Sequence, residues 1–250
     1  MHSALVTLKK VLLNLYLWPF FGLITLISVF VFPFMFAVKV VLFRKSVARA
    51  VRGMIRLYGW VLVRVVPFMA PVVVENKAGR LPLPVIFVAN HCSAVDPFLF
   101  GMLNVENAFV TTWPFKIPVY GIMMRMACYI DARAGWQDIL QQGSRLLDSN
   151  CSLIIWPEGH RSLTGAIGRF RKGAFQLAVL AGRPIIPVCI KGSGQVLPPG
   201  KRLFNPGRIK MVLLPPVYPE NSNDLGGDIE ALMAKARQSI EDELTGRGII

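Results

Sequence analysis

Residues 85–98 read VIFVANHCSAVDPF. Val85 to Ala89 is an unbroken apolar run rich in β-branched residues, the pattern of a short buried strand. The run stops at Asn90, and His91 follows where the strand's carboxyl end should lie. Asp96 comes five positions later, and Asp96-Pro97 reads as an N-cap followed by a first-turn proline. Strand, loop and helix in that order are the unit of an open α/β sheet, whose ligands bind in the crevice outside the strands' carboxyl ends. The stretch therefore places a histidine and a carboxylate in one loop at that crevice.

A histidine titrates near neutrality and can take a proton from a hydroxyl. A carboxylate on one ring nitrogen fixes the tautomer, stabilises the imidazolium and leaves the other nitrogen as base. No protein nucleophile is needed if the substrate supplies the hydroxyl. Taken alone, His91 also reads as a polar loop residue and Asp96 as no more than a helix cap.

The composition narrows the partners. The chain has 250 residues, 54% of them hydrophobic, with a formal net charge of +14 and a mean hydropathy of +0.50. Residues 1–74 hold nine basic residues and no acidic one, and ten more basic residues lie between Glu158 and Glu220 with no acid among them. Such an excess suits nucleic acid, an anionic membrane or an acidic protein. The apolar N-terminus favours the membrane, and no finger or aromatic RNA-binding motif argues for nucleic acid. Cys92, Cys128, Cys151 and Cys189 fit no zinc or redox spacing and lie in or beside expected strands, so they read as buried free thiols.

Val11 to Val38 is 28 residues without a charge. As one helix it would reach about 42 Å, beyond the roughly 30 Å of a bilayer's apolar core. Pro19 and Pro33 interrupt it, and basic residues flank both ends. A helical hairpin dipping into one leaflet, both ends cytoplasmic, fits that charge pattern better than a single crossing. A single transmembrane span and a buried core helix are the alternatives. In residues 46–70, Val47, Val51, Met54, Ile55 and Tyr58 share one side with arginines largely on another. That fits an interfacial amphipathic helix on anionic lipid or an ordinary surface helix. The expected organisation is a membrane-associated helical segment over 1–70 and an α/β domain over 71–250. Strands are expected at 72–75, 85–89, 107–112, 127–131, 152–156, 184–190 and 208–214. The alternation with helices predicts a largely parallel central sheet flanked by helices.

Three further stretches carry polar groups at strand ends. Residues 152–162, SLIIWPEGHRS, end a strand at Trp156 and turn through Pro157-Glu158-Gly159, leaving Arg161 and Ser162 on the loop. An arginine there can hold a phosphate bidentately. Arg169-Phe170-Arg171-Lys172 precedes Gly173, the start of a helix. Cations oppose the dipole at that end, a cost that makes sense if an anion sits there. In Arg183-Pro184-Ile185-Ile186-Pro187-Val188 the prolines argue for a pocket wall rather than a mid-sheet strand. Lys116 and Arg133 are further candidate phosphate ligands, and equally plain surface charges.

Together these stretches resemble the glycerolipid acyltransferase family, the lysophosphatidic acid acyltransferase-like enzymes. His91 to Asp96 is similar to the family's His-x4-Asp block, and Lys116 to Arg133 to its second block. Glu158, Gly159, Arg161 and Ser162 match the Pro-Glu-Gly-Thr-Arg-Ser block, and Pro184 to Val188 the proline strand. There are two departures: His160 stands where threonine is usual, and the second block ends Ile-Asp-Ala-Arg, one residue longer than usual.

The resemblance implies acyl transfer from an acyl-CoA or acyl carrier protein thioester to the hydroxyl of a lyso-lipid, with 1-acyl-glycerol-3-phosphate the first acceptor to expect. His91 and Asp96 would be catalytic. Lys116, Arg133, Glu158, Gly159, Arg161 and Ser162 would hold the acceptor's head. No metal or further cofactor is implied. The expected setting is the cytoplasmic face of a membrane, a bacterial inner membrane on the short length and lack of further domains. Another lyso-lipid acceptor, such as a lyso-ornithine lipid, and a thioesterase remain as alternatives.

Overall fold

The computed structural model describes residues 2–64, 70–220 and 222–247. Helix α1 (His2–Ala37) runs on through one wider π-helical turn (Val38–Leu42), and α2 (Val47–Arg64) returns against it. The sheet follows: β1 (Val72–Asn76), β2 (Ile86–Ala89), α3 (Asp96–Leu99), β3 (Asn107–Thr111), α4 (Pro118–Met126), β4 (Ile130–Asp131), α5 (Trp136–Asp148), β5 (Ser152–Ile155), α6 (Gly173–Ala181), β6 (Ile185–Lys191), α7 (Ser193–Val196), β7 (Ile209–Leu213) and α8 (Leu225–Thr245).

The seven strands lie in the order β1-β7-β6-β2-β5-β3-β4. Every neighbouring pair is parallel except β6 with β7. The expectation of a largely parallel sheet holds, and β2 sits at its centre. All four residues of β2 are buried, as a strand covered on both faces requires. Ile86, Phe87, Ile154, Phe175 and Leu177 form the middle of the core.

Two expectations about proline are corrected. Pro19 and Pro33 do not break α1, which is helical throughout; the chain reverses at 43–46 instead. Each proline removes one backbone bond and costs about 3 kcal/mol in a helix interior. Packing against the rest of the protein holds the intervening turns. Leu17 and Ile24 are buried, and Asn14 exchanges two hydrogen bonds with the backbone of Phe204 (2.8 and 2.9 Å). The Thr25 hydroxyl meets that of Tyr58 at 2.8 Å. The proline strand β6 lies mid-sheet rather than at an edge. Pro187 fits there because the register slips by one residue between Val188↔Leu213 and Ile185↔Val217. This bulge leaves no partner asking for the missing N–H, while the Pro187 carbonyl still accepts from Leu214 N.

Helix α2 turns its apolar side to α1 and α3, burying Val51, Met54, Tyr58 and Leu62. Gly59 and Gly101 allow the contact: a Cβ on Gly101 would lie 2.5 Å from Trp60 N. Not all its arginines face outward. Arg52 is buried and donates to Glu106 Oε1 (3.1 and 2.6 Å) and to the Ala127 carbonyl (2.9 Å). The opposite flank of α1 is open and apolar, with Phe30 and Phe34 each 73% exposed. Thr7–Leu42 is long and apolar enough to cross a membrane, with a mean hydropathy of 2.4 over an 18-residue window. Cys92, Cys151 and Cys189 are buried free thiols; Cys128, in the turn after α4, is free but exposed, correcting the expectation for that residue.

Candidate active site

His91 follows β2, between the loop after β5 and the turn after β6. Its Nδ1 lies 2.8 Å from Asp96 Oδ2. The same oxygen accepts the backbone N–H groups of Cys92 and Ser93, each at 2.8 Å. Asp96 is fully buried and lies in the first turn of α3, after Val95. The N-cap reading is therefore corrected: the carboxylate reaches back to the loop and to the imidazole instead of capping the helix ahead. Three donors on one oxygen fix the side chain, and the contact at Nδ1 leaves Nε2 as the outward-facing nitrogen of the pair.

The loop is fixed from three sides. Asn90, buried, extends the β2–β6 pairing with its side chain, donating to the Ile190 carbonyl (2.9 Å) and accepting from Ile190 N (2.7 Å). The Ser93 hydroxyl donates to the Leu197 carbonyl at 2.8 Å. From β5, Glu158 Oε1 accepts the His91 backbone N–H at 3.0 Å, and the His91 carbonyl accepts from Ser162 N at 2.7 Å. The Trp156 ring lies 4.9 Å from the imidazole, centroid to centroid, and stacks on Phe109 behind it. Asn90, Ser93 and Trp156 are positions around His91 that reading the sequence missed. Their partners lie far away in the chain, and only the apolar run before Pro157 hinted at Trp156.

The expected acceptor-binding residues separate into two groups. Glu158 faces inward, and Ser162 is half-buried and closes its own loop. Glu158 is buried, and its second oxygen accepts from Gly168 N at 2.8 Å. The Ser162 hydroxyl donates to the Ala166 carbonyl at 2.7 Å. Gly159 takes a left-handed φ of 75° that lets the turn double back. Arg161 and Lys116 are exposed and have no ion-pair partner among the described residues. Arg133 is exposed and clamped on Asp131 by contacts of 2.6 to 3.2 Å. That ion pair holds the Asp131 carboxyl below its usual value and pushes the Arg133 guanidinium higher. Arg133 also follows β4, three strand spacings or about 14 Å across the sheet from β2. The structure brings His91, Asp96, Glu158 and Ser162 together and leaves Arg133 apart.

Cys92, next to the histidine, is not an activated nucleophile. Burial, then the charges of Asp96 and Glu158, push its thiol up to about 11. Among the described residues no three His, Cys, Asp or Glu side chains gather as a metal site.

Residues 72–191 match the family model described as Acyltransferase. The match spans just under half of the chain. Over 193 residues, 74% of this chain, it is 28% identical to the chloroplastic 1-acyl-sn-glycerol-3-phosphate acyltransferase BAT2 of Brassica napus, covering 54% of that protein. It is 32% identical over 156 residues to the 1-acyl-sn-glycerol-3-phosphate acyltransferase of Saccharomyces cerevisiae, covering 59% of this chain and 50% of the yeast protein. The chain thus spans about half the length of the curated relatives it matches. Its fold is that of the 1-acyl-sn-glycerophosphate acyltransferase PlsC of Thermotoga maritima, with a TM-score of 0.67 at 23% identity over 95% of this chain and 97% of that one.

Proposed function

We propose that this acyltransferase-family chain moves a fatty acyl group from a thioester to the free hydroxyl of a lyso-lipid, 1-acyl-glycerol-3-phosphate giving phosphatidic acid. The observation that carries the reading is the 2.8 Å contact of His91 Nδ1 with a buried Asp96 whose oxygen two backbone N–H groups also hold. His91 Nε2 removes the acceptor's hydroxyl proton. The oxygen attacks the thioester carbonyl, and the C–S bond breaks as the tetrahedral intermediate collapses. The departing thiolate takes the proton back from His91. Asp96 holds the tautomer and stabilises the imidazolium formed between these steps.

Arg161 and Lys116, exposed and without an ion-pair partner among the described residues, are the proposed ligands of the acceptor's phosphate. Glu158 and Ser162 are positioning residues that hold both backbone polar groups of His91. The open apolar flank of α1 is proposed to lie in the membrane that carries the acceptor, with the exposed Arg44 and Lys45 of the turn after α1 facing anionic lipid on the cytoplasmic side. The raised thiol of Cys92 weighs against a Cys–His hydrolase.

The test is a matrix of donors and acceptors with the purified chain in detergent or liposomes. Acyl-CoA and acyl carrier protein thioesters are offered against lysophosphatidic acid, lysophospholipids with larger head groups, a lyso-ornithine lipid and water alone. Phosphatidic acid is the expected product. Transfer only to a phosphate-free acceptor overturns the acceptor, and free fatty acid formed without any acceptor overturns the transferase reading.

A further inference from the structure

Beside the site, the loop after β5 and helix α8 enclose a groove of about 870 Å³. It does not include His91, Arg161 or Lys116. Glu158 lines it, and through Oε1 holds the His91 backbone, so one side chain joins the groove to the catalytic loop. Four cations line it too: Arg169, Arg171 and Lys172 from the loop before α6 and Arg237 from α8, with His160 from the turn after β5 and Glu241 from α8.

The groove's own carboxylates neutralise Arg237 but leave Arg169 and Arg171 without an ion pair. Both oxygens of Glu158 accept backbone N–H groups, and Glu241 pairs with Arg237 at 2.7 Å. Lys172 pairs with Glu230 at 2.7 Å. Arg169 and Arg171 have no carboxylate partner among the described residues. Arg171 is nonetheless placed: a Cβ on Gly159 would meet its Cζ at 2.8 Å, so the guanidinium lies across the turn where only glycine leaves room. Met233 and Ala234 give the groove an apolar side. Two arginines held together in a concavity without ion-pair partners, as Arg169 and Arg171 are, are stabilised by a bound anion. The volume is that of a nucleotide-sized ligand rather than of a flat protein docking face. An apolar side next to several cations suits a base next to phosphates, which a glycerophosphate head lacks.

We propose that this groove binds the phosphorylated nucleotide head of an acyl-CoA donor, with Arg169 and Arg171 on its phosphates and His160 at its rim. The inference rests on the thioester donor proposed above. It separates the donor's anchor from Arg161 and Lys116, and gives the unusual His160 a place at the donor rather than at the acceptor.

The experiment has a binding arm and a kinetic arm, both on the full chain in detergent. Free CoA is titrated calorimetrically into wild type, Arg169→Glu, Arg171→Ala and, as a charge control, Arg80→Glu. The expected result is a dissociation constant weakened about tenfold or more for the two groove variants, the loss of one charge-assisted contact, and unchanged for the control. In turnover, Arg169→Glu should raise KM for acyl-CoA about tenfold more than KM for an acyl-pantetheine thioester lacking the nucleotide. Unchanged CoA binding in both groove variants overturns the proposal. So does a rise confined to the acceptor's KM, or weakening only with acyl carrier protein as donor. Absence of any transfer by wild type would instead overturn the proposed function, and the titration reads the groove independently of it.

Discussion

Replacing Asp96 by asparagine removes one charge from the site and little else. In the native protein Asp96 Oδ2 accepts from His91 Nδ1, Cys92 N and Ser93 N, each at 2.8 Å, while Oδ1 is buried without a partner. Two backbone N–H groups demand an acceptor, so the asparagine oxygen must take the Oδ2 position and its amide nitrogen the Oδ1 position. The histidine keeps its tautomer but loses the anion that steadies the imidazolium. Two unit charges about 4 Å apart at an effective dielectric of about 20 interact by about 4 kcal/mol. At 1.36 kcal/mol per decade that is a fall in kcat of about a thousandfold. The buried amide donor left at the Oδ1 position costs a further 1–3 kcal/mol of stability, roughly, without unfolding the chain. The assay is steady-state formation of phosphatidic acid from acyl-CoA and lysophosphatidic acid in mixed micelles, with a thermal melt on the same preparation. A folded Asp96→Asn variant within tenfold of wild type would refute the reasoning and leave Asp96 as a loop staple.

Glu158→Gln should lower kcat about ten- to a hundredfold, roughly the cost of facing one buried N–H with an amide donor, and change the acceptor's KM much less. A raised KM with kcat preserved would make Glu158 an acceptor ligand instead. Gly101→Ala drives a Cβ to within 2.5 Å of Trp60 N and 2.8 Å of the Arg56 carbonyl. Prising α2 from α3 should lower Tm by about 5–10 °C, and a melt unchanged from wild type would contradict the tight contact. Glu243 is nearly buried against Lys191 and Lys77, each at 2.7 Å. Burial pushes its carboxyl up, but the two lysines outweigh it and hold it below its usual value of 4.5. A lowered carboxyl stabilises the fold above the usual value and loses that contribution as pH falls through the lowered one. Glu243→Gln should therefore melt several degrees below wild type at pH 7, with the gap closing in acid; a gap constant with pH would contradict the pairing.

The strands were legible because each is a short apolar run between turn residues, and a sheet buried on both faces leaves that mark in the sequence. β4 shrank most, from 127–131 to Ile130–Asp131, because Ala127 caps α4 and Cys128 turns through a left-handed φ of 55°. The His91–Asp96 pair was legible because both partners lie within one loop. The contacts that fix that loop were not. Asn90 with Ile190, Ser93 with Leu197 and Glu158 with His91 join residues 67 to 104 positions apart. Composition cannot reveal such pairs. Glu158 read as a ligand because a carboxylate at a strand end invites one; its burial against two backbone N–H groups is a property of the packed loops. Arg52 read as a surface charge because its partner, Glu106, is 54 positions away. The prolines misled in the same way, since a lost backbone bond is visible in the sequence and the packing or bulge that absorbs it is not.

The central claim is that His91 is the base of an acyl transfer. The measurement that tests it most directly is the rate of phosphatidic acid formation by wild type and His91→Ala, side by side, at saturating acyl-CoA and lysophosphatidic acid, with equal melts verified first. The account predicts transfer by wild type and a loss of at least about a thousandfold in the variant. Transfer by a folded His91→Ala chain at a rate close to wild type would contradict it.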